Sequence, residues 1–301
     1  MMPLLAAVVT HRRPRELRRL LESLADSSEK PDVCVVADHA PDGSSQSAAA
    51  GLPFPVEILE DASNPGPGVG WAHASAAHPA SDVLFLDDDV VLPSHAIARM
   101  RAHLDPLGMV APLLEDADGH LWGFPEPQIM RQRRLIRQAK TPAEAERLLG
   151  AGPHPMVWCT GACVLIAKNL FQRIGPHRRD FWMLGEDLEL SMRAAAQGHA
   201  VFLGDVSVPH LPPESSSDPL HARIKFCSLL QNLCYLSVRS PHRTHMIRYL
   251  PGNFRRYFRT FGWNAASLTQ AWRCFYGGIL RGEPAGGPTG TTLRKRLSQR
   301  T

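Results

Sequence analysis

The run Val83-Leu84-Phe85-Leu86-Asp87-Asp88-Asp89-Val90 constrains this chain more than any other stretch. Four apolar residues in a row read as a strand buried on both faces, as in the middle of a parallel sheet. Three consecutive carboxylates cannot then be buried unpaired, because each ionised group loses several kcal/mol of hydration. They are expected at the strand's carboxyl end, the edge where open α/β sheets bind ligands. Hard oxygen donors at this density suit Mg²⁺ or Mn²⁺. A solvated acidic turn is the other reading of the triplet taken by itself.

The flanking sequence supplies the rest of such a sheet. Leu4 to Val9 reads as a buried strand turned by Thr10 to Pro14, and Leu17, Leu20, Leu21 and Leu24 keep the spacing of one helical face. Val33 to Ala37 is a second strand, ending in Asp38, so strand, helix and strand form a parallel unit with a right-handed crossover. A short strand at Val56 and Ile58 leads into Asn64-Pro65-Gly66-Pro67-Gly68-Val69-Gly70, too rich in Gly and Pro for anything but a fixed loop. A small-residue helix follows from Val69 to Ala77, and Gly108 to Pro112 adds another strand.

Residues 115–157 are less regular. Their basic run, Arg131, Arg133, Arg134, Arg137 and Lys140, reads as a solvated surface segment, or else as a lid or acceptor loop. Thr141-Pro142-Ala143-Glu144 is a capping box opening a helix that Gly150 closes. Cys163 to Ala167, Ala200 to Leu203 and Val206 to His210 read as further strands. Between the first two of these, Gly185-Glu186-Asp187 opens a helix with Leu188, Met192 and Ala195 on one face and Gly198 as its stop.

Charge divides the chain. From residue 221 onward there are 14 Lys/Arg against one acid, Glu283, so this segment carries +13 and the first 220 residues −9. An acidic body and a basic tail imply two jobs: a domain over 1–213 and a basic helical region over 214–301, joined by the Pro- and Ser-rich linker from Pro212 to Pro219 and ending in about 20 frayed residues. Rings and arginines interleave at Phe254, Arg255, Arg256, Tyr257, Phe258, Arg259, Phe261 and Trp263. That suits an ordinary basic surface, a helix lying on an anionic membrane, or single-stranded nucleic acid; an acidic body repels a phosphate backbone and counts against the last. The longest apolar stretch, Phe226 to Val238, is too short to span a bilayer, which needs about 20 residues. Six cysteines show no zinc spacing, and no leader opens the chain. The expected setting is the reducing cytoplasm, or the cytoplasmic face of the inner membrane.

Taken in order, Val8-Val9-Thr10-His11-Arg12-Arg13, the Asp38 to Gly43 turn, Asn64-x-Gly-Pro-Gly, Leu86-Asp-Asp-Asp, Thr160-Gly-Ala, Gly185-Glu-Asp and His210 resemble family 2 glycosyltransferases. Those are inverting enzymes of the GT-A fold, and the flavour is nearest the bacterial rhamnosyl- and galactofuranosyl-type transferases. The resemblance covers about residues 4–212, and its specificity lies in the ordered set. It implies an α/β fold with a mixed, mainly parallel sheet flanked by helices and a C-terminal helical extension.

It also implies roles. Asp89 ligates Mn²⁺ or Mg²⁺, with Asp87 as a second ligand or a ribose contact and His210 completing the site; a lone histidine is otherwise usually structural. Thr10, Arg13, Asp38, Asn64, Gly66 and Asp88 lie on the side of the nucleotide-sugar donor, a UDP-sugar foremost. Trp158, Thr160, Trp182 and Glu186 line the side of a glycan or lipid-linked acceptor. Asp187 is the general base, although acids at a helix N-terminus also serve simply to complement the dipole. The glycines at 66, 68 and 70 let backbone approach a donor or merely turn the chain. The Asp38-to-Gly43 turn is one residue shorter than the family's and lacks its Asn, so the role of Asp42 stays open. Two rivals stand beside this reading: a sugar-phosphate nucleotidyltransferase, which wants a glycine-rich signature absent after Val9, and a non-catalytic carbohydrate-binding protein on the same fold.

Overall fold

The computed structural model describes residues 2–211 and 219–286, so most of the expected linker and the last fifteen residues lie outside the described residues. In chain order the elements are β1 (Leu4–Thr10), α1 (Pro14–Ala25), β2 (Val33–Asp38), α2 (Ser44–Ala49), β3 (Val56–Glu60), α3 (Pro67–Ala77), β4 (Asp82–Asp87), α4 (Ala96–Ala102), β5 (Gly108–Glu115), β6 (Leu121–Trp122) and β7 (Glu126–Pro127). They continue with α5 (Met130–Ile136), α6 (Pro142–Leu149), β8 (Pro153–Trp158), β9 (Cys163–Ile166), α7 (Lys168–Ile174), α8 (Glu186–Gln197) and β10 (His199–Pro209). The C-terminal region holds α9 (Pro219–Arg239), α10 (Arg243–Ile247), α11 (Leu250–Phe261), α12 (Ala265–Phe275) and a π-helical turn (Tyr276–Arg281).

Two compact units divide the chain, and neither is continuous. The first comprises Met1–Pro65, Gly70–Pro176 and Ala194–Pro213; the second comprises Gly66–Val69, His177–Arg193 and Glu214–Thr301.

The first unit is built on one mixed sheet of order β3-β2-β1-β4-β9-β5-β10-β8-β7, with β6 paired to β5. The apolar runs of β1, β2 and β4 fill its middle, buried on both faces, and α1 covers them with Leu17, Leu20, Leu21 and Leu24. β3, β2, β1 and β4 run parallel, β9 is inserted antiparallel between β4 and β5, and β10 returns parallel to β5. Register decides what meets at the carboxyl edge: Thr10 pairs with Asp38, Val9 with Asp87, and Pro209 with Glu115.

Two local expectations are revised. The strands read at Ala200–Leu203 and Val206–His210 are the single strand β10, whose register slips between Phe202 and Ser207. The slip falls opposite Pro112, which has no N–H to give the ladder. The basic run is not a wholly solvated segment either. Arg133 in α5 is buried, its Nε 2.5 Å from Oε1 of the fully buried Glu126. A carboxylate at that depth requires a cation beside it, and the sequence window around Arg133 carries no sign of it. The capping box forms as read, with Thr141 Oγ1 accepting from the Glu144 N–H at 3.2 Å.

In the second unit α9 is the spine. Its Cys227 and Leu230 pack against Tyr257 and Phe258 of α11 and Ala271 and Cys274 of α12. The interleaved rings of α11 therefore turn partly inward, while Arg255, Arg256 and Arg259 stay exposed. All six cysteines are buried free thiols. Among the described residues no helix is long and apolar enough to cross a membrane.

Candidate active site

β4 runs out at Asp87, which is half-buried, and the next two acids, Asp88 and Asp89, are buried. Asp88 is buried and fully engaged: Thr10 Oγ1 donates to it at 2.7 Å and Arg13 Nη1 at 3.1 Å. The same Arg13 nitrogen donates to Asp89 Oδ2 at 2.9 Å. Burial pushes the Asp88 carboxyl up to about 6, against the pull of Arg13 and Thr10. Burial acts on Asp89 in the same sense, but His210 and Arg13 outweigh it and hold Asp89 below the usual carboxylate range.

His210 arrives at this edge by backbone pairing. Its N–H donates to Glu115 O at 2.8 Å, the Leu211 N–H donates to Asp89 O at 2.7 Å, and the Val91 N–H donates to Pro209 O at 2.9 Å. β10 is thereby stitched between the end of β5 and the segment after β4. Its Nε2 then lies 3.1 Å from Asp89 Oδ1 and 4.0 Å from Asp87 Oδ2. One ligand atom from each of Asp87, Asp89 and His210 lies within 4.8 Å of the others. Two carboxylates and an imidazole converging from separate strands fit a divalent cation by donor type and by spacing. Asp116, Asp118 and His120 also cluster, but in a mostly exposed turn where Asp116 Oδ1 already accepts the N–H groups of residues 118 and 120.

A residue unforeseen in the sequence completes this side. Trp122 of β6 stacks on the His210 ring, centroids 3.9 Å apart at 23°. The β5–β6 pairing of Leu114 with Trp122 brings it there. Gly123, at φ +52, follows it, and a Cβ on Gly123 would meet Thr160 Cγ2 at 3.0 Å. Thr160 Oγ1 donates to Gly123 O at 3.3 Å, so this expected acceptor residue braces the Trp122 turn. Trp158 ends β8 half-buried, opposite Glu126. Asp38 is buried at the end of β2; Oδ1 accepts the Ala40 N–H at 2.9 Å, and Oδ2 has no hydrogen-bond partner among the described residues. Asn64 is exposed, in the left-handed region at φ +45.

The remaining expected residues belong to the second unit. Gly66 sits at φ +98 where a Cβ would come within 1.9 Å of Trp182 O, so its glycine is demanded by the close passage of the buried Trp182 segment. Leu184 and Gly185 both take positive φ immediately before α8. Asn232 of α9 clamps that turn, its Nδ2 donating to Met183 O at 3.2 Å and Leu184 O at 2.6 Å, while its Oδ1 accepts the Ala285 N–H at 2.7 Å. Nothing local marks Asn232 for this task. Glu186 is buried at the first position of α8; Asp187 is half-buried, and its Oδ1 accepts the Leu188 N–H at 2.7 Å.

The sheet, with a helical C-terminal region appended, is the GT-A arrangement of nucleotide-sugar transferases. Within that class the chain belongs to the family 2 glycosyltransferases, whose profile, "Glycosyltransferase like family 2", matches residues 3–227. It is 26% identical over 241 residues to an N-acetylglucosaminyl-diphospho-decaprenol L-rhamnosyltransferase of Mycobacterium tuberculosis, covering 70% of this chain and 77% of that one. It is 29% identical over 202 residues to the galactofuranosyltransferase GlfT1 of Mycolicibacterium smegmatis, covering 64% and 65%. The fold is similar to that of GalNAc-T7 solved with UDP, GalNAc and Mn²⁺, with a TM-score of 0.58 at 15% identity over 93% of this chain. The chain spans only 56% of that structure, a likeness of fold alone.

Proposed function

We propose that this chain is an inverting, divalent-metal-dependent glycosyltransferase. It moves a sugar from a nucleoside-diphosphate donor, a UDP-sugar foremost, to a hydroxyl of a glycan or lipid-linked glycan in cell-surface polysaccharide assembly. The observation that carries the reading is the convergence of Asp87, Asp89 and His210 at one strand edge. These three residues would hold Mn²⁺ or Mg²⁺, and the ion supplies Lewis-acid neutralisation of the departing diphosphate.

The chain's own groups do the rest. Asp88 holds Thr10 and Arg13 in place on the donor side, and Asp38 keeps an acceptor oxygen for the nucleoside, with Asn64 and Gly66 at the loop that flanks it. Trp158, Thr160, Trp182 and Glu186 shape the acceptor side. Asp187 takes the proton of the attacking hydroxyl; inversion is a single displacement and needs one such base. Residues 1–213 carry the catalytic groups, and the basic region 214–301 serves the acceptor and a peripheral membrane contact on the cytoplasmic side. The lipid-linked acceptor in the name of the rhamnosyltransferase relative supports this choice of acceptor class.

A thermal-shift panel of nucleotide sugars with Mn²⁺, with Mg²⁺ and with neither is the direct test, because a ligand that binds only the folded state raises its stability. Donor-dependent stabilisation that requires a divalent ion and is lost in Asp89→Ala is expected. Pyrophosphate release from a nucleoside triphosphate plus a sugar phosphate would replace the reading with a nucleotidyltransferase. Asp187→Asn is expected to keep donor binding and lose transfer to acceptor by at least a hundredfold, in line with the range for a general base.

A further inference from the structure

Helix α12 and its π-helical continuation are amphipathic the wrong way round for water. The face they bury carries small residues: Ser267, Ala271, Cys274, Gly277 and Gly278 are buried, and a Cβ on Gly278 would come within 2.5 Å of Cys234 Cβ. The opposite face carries the large apolar ones. Leu268, Trp272, Tyr276 and Leu280, four residues apart, are 50%, 59%, 45% and 59% exposed, and Phe275 stacks on Trp272 beside them. Trp263, in the turn before α12, is 73% exposed and stacks on Phe258. A contiguous exposed aromatic and leucine ridge marks an interaction surface rather than scattered surface apolarity.

Its electrostatic setting selects the partner. No Asp or Glu occurs between residues 219 and 282, while ten Lys/Arg do. Exposed Arg255, Arg256 and Arg259 lie on α11, exposed Arg273 lies on α12, and Arg281, paired with Glu283, ends the π-helical turn. Trp and Tyr settle at the headgroup level of a bilayer, where an apolar ring body and a polar edge are both satisfied. Arginines beside such a ridge attract an anionic leaflet.

We propose that the Leu268-Trp272-Tyr276-Leu280 ridge is the surface by which this chain docks on an anionic bilayer, with the arginines of α11 and α12 holding the headgroups. This differs from a contact through the rings of α11, of which Tyr257 and Phe258 are core. The inference deepens the membrane contact named in the proposed function and rests on that part of it alone; it requires no sugar transfer.

The test is co-sedimentation of the full chain with phosphatidylcholine vesicles containing or lacking phosphatidylglycerol. Wild type is expected to partition onto the anionic vesicles and release at high salt, since the arginine contribution is screened. Trp272→Ala with Tyr276→Ala should lower the partition coefficient at least tenfold, and Arg255→Glu with Arg259→Glu should remove the preference for anionic lipid. Brominated lipid should quench tryptophan fluorescence in wild type and less in Trp263→Phe with Trp272→Phe. The donor thermal shift reports folding in each variant and stands apart from the vesicle result, so either can fail alone. Wild type that does not partition, ridge variants that partition like wild type, or self-association that these substitutions abolish without any vesicle binding would each overturn the proposal.

Discussion

Asp88 and Asp89 are chain neighbours with different work. Asp89 is shared between His210 and Arg13 at the proposed cation site, whereas Asp88 is held by Thr10 and Arg13. Asp88→Asn should preserve the Thr10 contact but leave Arg13 with half its counter-charge. Because Arg13 is about one third exposed, the cost is expected near 1–2 kcal/mol rather than the larger value of a fully buried pair. Urea unfolding measures it, and an unshifted midpoint would remove Asp88's role as a tether. Trp122→Ala should weaken Mn²⁺ binding on the order of tenfold, the lower end of what losing an outer contact of a metal ligand costs. Isothermal titration of the ion alone reads that, with no reaction required. The acid triplet was legible because its pattern is local; Trp122 was not, because its stacking partner lies on a strand far along the chain.

At the scale of elements, the legible parts are those whose signal repeats within one window. The heptad-like leucines of α1, the Thr141 cap of α6 and the apolar runs of β1, β2 and β4 all formed where expected. The antiparallel insertion of β9 and the slip in β10 were not legible, since strand direction and register are settled by partners. Gly66→Ala is expected to lose at least about 2 kcal/mol, as positive φ and the Trp182 carbonyl both exclude a methyl group. A thermal melt checks it; wild-type stability would mean the Trp182 segment yields freely. Glu126→Gln, which removes the carboxylate 2.5 Å from the buried Arg133, should cost about 3–5 kcal/mol, seen as a lowered urea midpoint.

For the whole molecule, the pH response follows from histidines buried in each unit. Burial lowers His39 to about 4 and His177 to about 3, against an ordinary value of 6.5 when unfolded. As pH falls below about 6.5 the unfolded chain takes up these protons and the folded chain does not. The stability contributed by these two histidines is therefore intact above that pH and drains away between about 6.5 and about 3–4. At pH 5 the loss should be on the order of 2 kcal/mol per histidine. The gap between the urea midpoints at pH 7.5 and 5 should narrow for His39→Asn, His177 keeping its share; an unchanged pH slope would mean that His39 does not contribute.

The sequence by itself determined the α/β class, the edge at which the acids emerge and the family, because apolar periodicity, turn chemistry and ordered motifs are written in contiguous residues. It also set the charge asymmetry of the C-terminal region. Only the tertiary structure decided that Asp88 is tied to Thr10 and Arg13 while Asp89 meets Arg13 and His210, that Trp122 backs His210, that Arg133 is interior, and that α12 turns its large side chains outward. Each of those depends on a partner brought from elsewhere in the chain. Burial and pairing, unlike periodicity, are properties of two surfaces meeting.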